Sequence, residues 1–272
     1  MKKNKIKLIA LDIDGTIMDH QFKISDRVKE TILKAINSNI YVVLATGRMY
    51  SSTVPIALET GILTPLITYQ GSLIKEFFKS DKTLLHHTIS TEQTKKIIEE
   101  LRNFKVQINV YIDDKLYIED ENHIIKEYAE KRFITYHKIE SFDKITDFEP
   151  TKILAIDNDI DKVTEIKEYL KNKYMKYLNI TKSTPEYCEV VSNLASKAKA
   201  ILYLADIWDI KQSEIMAIGD QDNDKEMLKI AGTAVAMKNC PENLKKTAHY
   251  ITDTVDNDGA ALAIEKFAFA LE

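Results

Sequence analysis

Apolar and polar positions alternate along the chain with two periods. Lys7-Leu8-Ile9-Ala10-Leu11 is a short apolar run that stops at Asp12, and 40–45 and 66–69 are runs of the same kind. Short apolar runs bounded by turn residues predict buried strands. Between them the period lengthens. Val28, Ile32, Ala35 and Ile36 share one face of a helix that Ser25-Asp26 can cap. A second helix over roughly 51–60 would end at Gly61.

The pattern then changes. Segments 83–89 and 106–118 read as strands of alternating character, the second broken by a turn at Asp113-Asp114. Helices are expected over 91–102 and 122–131, a strand over 152–156, a helix from about 159 to 171, and a short strand over 187–191. From residue 195 the first pattern returns: a helix over 195–206, a strand over 214–218 and a helix from about 223 to 230. A strand over 233–237, a helix opening at Pro241, a strand over 249–252 and a terminal helix follow. This is an α/β chain of two units, the middle one inserted into the outer one, with boundaries near residues 80 and 190.

Composition leaves that picture standing and narrows the partners. The 272 residues are 44% hydrophobic and 29% charged, and 38 basic against 42 acidic residues give a net charge of −4. That balance carries no overall footprint for nucleic acid or an anionic membrane. The basic start resembles a signal peptide, but the apolar stretch 8–11 is too short for one, so a cytoplasmic protein is expected. No run has the length of a transmembrane helix. Cys188 and Cys240 have no metal-ligand spacing and are expected to be free thiols.

Three expected strands end in polar punctuation: Asp12-Ile13-Asp14-Gly15-Thr16, Ala45-Thr46-Gly47-Arg48, and Gly219-Asp220-Gln221-Asp222-Asn223-Asp224. Each alone also reads as an ordinary turn or helix entry. In one parallel sheet their carboxyl ends share an edge, where open α/β sheets place active sites. Asp220, Asp222 and Asp224 match the first ligands of an EF-hand loop, but Lys225 stands where its glycine belongs and Ala231 where its bidentate Glu belongs. Phosphate-binding glycine motifs and zinc-type histidine spacings are absent.

Phosphoryl transfer to a carboxylate fits these residues. Asp12 can attack phosphorus in line, and Asp14 can protonate the leaving alkoxide and later deprotonate water. Mg²⁺, a hard cation, would offset the crowded carboxylates. Thr46 could donate to a phosphoryl oxygen, and a lysine would complete the charge balance.

These motifs, in this order, resemble the haloacid dehalogenase-like hydrolases, in particular the Cof-like branch. Val235-Ala236-Met237-Lys238-Asn239 and Asn257-Asp258-Gly259 resemble the same branch. The resemblance implies a Rossmann-like, doubly wound parallel-sheet core of residues 1–81 and 191–272, with 82–190 an α/β cap that selects substrate. It implies Asp12 as nucleophile and Asp14 as acid/base, with Asp12, Asp14, Asp220 and Asp224 on Mg²⁺. It further implies Thr46, Gly47, Asn223, Asn239 and Lys197, in Ala195-Ser196-Lys197, on the phosphate or substrate. Ala198, Leu194, Gln70 and Lys238 depart from the usual family residues; Lys238 adds a charge beside Asn239. The expected activity is hydrolysis of a small phosphomonoester such as a sugar phosphate. A phosphomutase using the same Asp12, or a non-catalytic phospho-acceptor, are the alternatives. Oligomeric state is not readable.

Overall fold

The strand Leu8–Leu11 is buried at every position, which an unbroken apolar run requires of a strand covered on both faces. Successive side chains point to opposite faces. Ile9 and Leu11 join one hydrophobic cluster with Val42, Leu44 and Met216, covered by the helices Asp26–Asn37 and Gly259–Ala268. Leu8 and Ala10 join another with Val43 and Ala217, covered by Lys197–Ile207 and Lys225–Ile230. The computed structural model describes residues 5–146 and 148–269.

Five parallel strands form this sheet in the order Tyr250–Ile251, Thr233–Ala236, Ile215–Gly219, Leu8–Leu11, Tyr41–Leu44. From Leu8–Leu11 the chain winds outward to Tyr41–Leu44. It comes back on the other side only at Ile215–Gly219, more than 170 residues later. The two central strands therefore flank the point where the winding reverses, and a crevice opens there at their carboxyl ends. Asp12 and Asp220 are the residues that leave those two ends.

A second, six-stranded sheet has the order Leu178–Thr181, Tyr187–Ser192, Lys152–Ile156, Gln107–Ile112, Lys115–Ile118, Tyr136–Lys138. It is antiparallel except for its last pair. The helices Thr91–Phe104 and Ile160–Tyr174 cover one face. The other face packs Tyr111, Leu116 and Leu154 against Ile125 and Tyr128 of His123–Arg132, and also against Met49, Tyr69 and Leu73 of the outer unit. The two units thus share an apolar seam.

The hairpin Gln107–Ile112/Lys115–Ile118 turns on Asp113 and Asp114, both left-handed (φ 50° and 56°), as a two-residue hairpin loop requires. Asp114 then serves the outer unit. Its carboxylate accepts from the Tyr50 and Ser51 amides (3.0 and 2.9 Å), at the start of Tyr50–Thr60, where Met49 offers no capping side chain.

Three strands were not anticipated: Leu73–Lys75, Tyr136–Lys138 and Leu178–Thr181. They are three or four residues long, too short for a period to register. The expected strand 83–89 exists as Thr83–His86, but it pairs with Leu73–Lys75 in a three-stranded sheet with Leu66–Thr68, not with the six-stranded sheet. The expected helix from about 223 opens as a 3₁₀ turn, Asp222–Asp224, before Lys225–Ile230.

Candidate active site

Asp12 follows directly on its strand, and the chain must then turn without blocking the crevice. Gly15 makes that possible. Its φ is +80°, and a Cβ there would lie 2.5 Å from Asp220 Oδ2. Thr16 Oγ1 donates to Asp220 Oδ1 (3.2 Å), tying the two strand ends together.

Lys197 is the first residue of its helix, with Ser196 as N-cap accepting from the Lys199 amide. Gly71, at φ +90°, lets the loop after Leu66–Thr68 lie against this cap; a Cβ there would sit 2.3 Å from the Ser196 carbonyl oxygen. The Lys197 side chain is only 1% exposed. Its Nζ donates to Asp12 Oδ1 (2.5 Å) and Asp224 Oδ1 (2.6 Å). Asp224 Oδ2 in turn accepts the Asp220 and Gln221 amides (2.8 and 3.0 Å).

Oxygens of Asp12, Asp220 and Asp224 lie within 4.8 Å of one another, all three residues buried. One lysine cannot balance three carboxylates, and the imbalance shows at Asp12 and Asp220. Burial pushes Asp12 up to about 7 despite Lys197, with Asp224 adding repulsion. Burial and then the charges of Asp12 and Asp224 raise Asp220 well above the usual carboxylate range. Burial opposes the charge on Lys197, but Asp12 and Asp224 outweigh it and raise its pKa. A buried, all-oxygen, excess-negative cluster is the donor set that a hard divalent cation takes.

Asp14 is turned to a different set of partners. Arg48 holds both its oxygens (Nε–Oδ2 2.8 Å, Nη2–Oδ1 2.5 Å), and Arg132 reaches across from the inserted unit to Oδ2 (3.4 Å). Burial acts to raise Asp14, but the two arginines outweigh it and hold it well below the usual carboxylate range.

Asp12, Asp14, Thr46, Gly47 and Asn223 line one small cavity together with Arg48 and Arg132. Thr46 Oγ1 accepts from the Arg48 amide (3.1 Å), which leaves its own proton free to be donated. Asn223 Nδ2 donates to Gln70 Oε1 (3.2 Å), while its buried Oδ1 has no partner among the described residues. Lys197, Asp220 and Asp224 are buried and are not among the lining residues. Asn239 does not join them: it is exposed and outside the cavity lining. The adjacent Lys238 is also on the surface, against Asp253 (3.4 Å). Leu194 is exposed and Ala198 buried in the helix that carries Lys197. Cys188 and Cys240 are free and buried, and burial pushes the Cys188 thiol up to about 12.

Several contributing residues carried no assigned role in the sequence reading. Lys152 and Glu189 form an ion pair (2.9 Å) with both side chains 3% exposed. Lys152 also donates to the Gly47 carbonyl (2.6 Å), and Glu189 accepts from Gln70 Nε2. Gln70 itself is left-handed (φ 59°). This network spans the two units and fixes the loop that carries Thr46 and Gly47. A lone carboxylate inside the apolar run Tyr187–Ser192 was the available signal for Glu189. Arg132 gave none, because a basic residue in a helix's last turn reads as a dipole partner. Glu189→Ala would strand Lys152 in the interior. We expect a loss of about 3–5 kcal/mol in urea unfolding; a loss below ~1 kcal/mol would show that water reaches the pair.

A doubly wound sheet with an acidic cluster under its winding reversal is the frame of an α/β enzyme that acts on anionic substrates. The chain belongs to the haloacid dehalogenase-like hydrolases, whose family model matches residues 9–264. It is 32% identical over 262 residues to a 5-amino-6-(5-phospho-D-ribitylamino)uracil phosphatase of Bacillus subtilis strain 168, covering 95% of this chain and 94% of that one. A haloacid dehalogenase-like hydrolase from Bacteroides thetaiotaomicron superposes with a TM-score of 0.83 at 30% identity, over 96% of this chain and 99% of that one. A B. subtilis structure described in the same words gives 0.85 at 26%, again over 96% and 99%. The protein is a phosphatase that acts on small phosphorylated substrates. Among the described residues, no helix is long and apolar enough to cross a membrane.

Proposed function

We propose that the enzyme hydrolyses a small phosphomonoester through an aspartyl-phosphate on Asp12, with Mg²⁺ held by Asp12, Asp220, Asp224 and the Asp14 backbone carbonyl. The observation that carries this reading is the Asp12–Lys197–Asp224 bridge beside Asp220. When bound, the cation would supply charge neutralisation for the phosphate and the carboxylates.

Asp12 attacks phosphorus, and the ester P–O bond breaks as the Asp12 O–P bond forms. Asp14 gives its proton to the departing alkoxide. It then takes a proton from water, which attacks phosphorus and releases Asp12 and inorganic phosphate. Lys197 and the Thr46 hydroxyl stabilise the phosphoryl oxygens. A carboxyl gripped by two guanidiniums stays ionised and holds no proton to give, so an incoming phosphoryl group must draw Arg48, Arg132 or both away from Asp14 for it to carry the proton it donates.

Relatives in B. subtilis, at 32%, 29% and 25% identity, are named as phosphatases of a ribitylamino-uracil phosphate. A sugar or sugar-alcohol phosphate is accordingly the substrate class we assign. The six-stranded unit is the cap that selects it. Thr83–His86 belongs to the outer unit by pairing, while Ile89 packs in the six-stranded unit's core, so the first crossing falls at about residues 87–88. The two free thiols suit the cytoplasmic location we propose. Phosphate release from a panel of phosphorylated metabolites at saturating Mg²⁺ tests the reading. No release from any ester would overturn it.

Asp14→Asn should lower kcat roughly 10²–10⁴-fold, the range for loss of a general acid/base. The loss should be much smaller on p-nitrophenyl phosphate, whose leaving group needs little protonation. An equal loss on both esters would remove Asp14 from proton transfer.

A further inference from the structure

The cavity over Asp12 holds about 40 Å³. One water needs roughly 10–15 Å³ on this measure, so a phosphoryl group nearly fills it. The organic part of any substrate must lie elsewhere. Arg48, Met49, Ser52, Arg132 and Ile134 also line a second chamber of about 550 Å³, which opens between the helix Tyr50–Thr60 and the segment after His123–Arg132. Its volume is within the usual range for small-ligand sites, about 300–1,000 Å³.

The walls of this chamber are divided, with Glu59, Asp114, Lys115, Thr135 and His137 polar and an apolar part suited to more than a bare sugar. Met18, Phe22, Pro55, Ile56, Phe133 and Ile134 give it an apolar side. Phe22 comes from the outer unit and Phe133 from the cap. Both hold the left-handed backbone conformation (φ 60° and 54°), which is unfavourable for a bulky side chain. Phe133 stands at a helix C-terminus where glycine is the favoured residue, and the residue is 87% exposed. Neither folding nor core packing accounts for a phenyl ring there. Strain of this kind collects at ligand clamps.

We propose that the chamber is the leaving-group subsite, and that Phe22 and Phe133 clamp a planar ring at the end of the substrate remote from the phosphate. This rests on the phosphatase reading and narrows it to ring-bearing esters. Arg48 and Arg132 stand where the two cavities join, so the ester passes between them with its phosphate over Asp12.

A matched pair of esters tests the clamp: ribitol 5-phosphate, and 5-amino-6-(5-phospho-D-ribitylamino)uracil, which adds a planar ring at the far end. The parent enzyme should favour the second at least ~10-fold in kcat/KM. Phe133→Gly should erase most of that preference through KM while raising Tm, because it relieves the strained cap. Phe133→Leu, apolar but not planar, should recover only part of it. Equal kcat/KM for both esters in the parent would overturn the clamp alone. So would a Phe133→Gly variant that keeps the parent's preference. Release of phosphate from neither ester, nor from a broader panel, would instead overturn the phosphatase reading.

Discussion

Asp12→Asn should lower phosphate release at least ~10³-fold, because covalent catalysis is then lost outright and not merely weakened. The geometry makes the substitution a clean one. Asp12 shares Lys197 with Asp224, so an amide at position 12 leaves the lysine with a charged partner at 2.6 Å. It also removes one of three crowded carboxylates. The variant should therefore fold, and its melting temperature without added metal should not fall. Lost activity with retained stability separates a chemical role from a structural one. Deamidation would restore Asp12, so mass spectrometry must accompany the assay. Near-normal turnover by protein verified as Asn at position 12 would remove Asp12 as nucleophile.

What could be read from the chain differs by physical origin. The strand Leu8–Leu11 was legible because a strand buried on both faces leaves no polar position in its run, and the polar residues that follow mark its carboxyl end. Asp12, Thr46 and Asp220 could be brought together on paper because parallel strands deliver their ends to one edge. Lys197 is a different case. A lysine in a helix's first turn reads as a solvated residue, and only the family resemblance pointed inward; the structure buries it, with Gly71 lying close against Ser196 and the Lys197 amide. Arg132, Lys152 and Glu189 depend on how the inserted unit seats on the outer one, and no local period encodes that. Asn239 stands apart: the motif around it matched, while the loop after Thr233–Ala236 leaves its side chain in solvent. Tyr136–Lys138 escaped because a three-residue edge strand with two exposed side chains has no apolar signature.

Chelation with EDTA should abolish phosphate release, and Mg²⁺ should restore it. Asp12, Asp220 and Asp224 crowd three carboxylates into a space within 4.8 Å, with Lys197 their one bonded cation among the described residues. A phosphate dianion brought over Asp12 adds more negative charge to the same buried space. Without a divalent cation both the resting repulsion and the charge developing on phosphorus are unscreened. The same crowding predicts a response that needs no substrate. Mg²⁺ binds the folded cluster and not the unfolded chain, so at 100 times its Kd it should add about 2.7 kcal/mol and raise Tm. NaCl at matched ionic strength should not reproduce the shift. Asp220→Asn should shrink both responses together, raising the Mg²⁺ concentration needed for half-maximal activity and flattening the Tm curve. Asp220 is the ligand to test, because its carboxylate accepts from the neutral Thr16 and Gln221 and, unlike Asp12 and Asp224, has no bond to Lys197 among the described residues. Full turnover by protein shown by elemental analysis to be metal-free, or a Tm indifferent to Mg²⁺, would leave the cluster without a cation and the proposed mechanism without its charge balance.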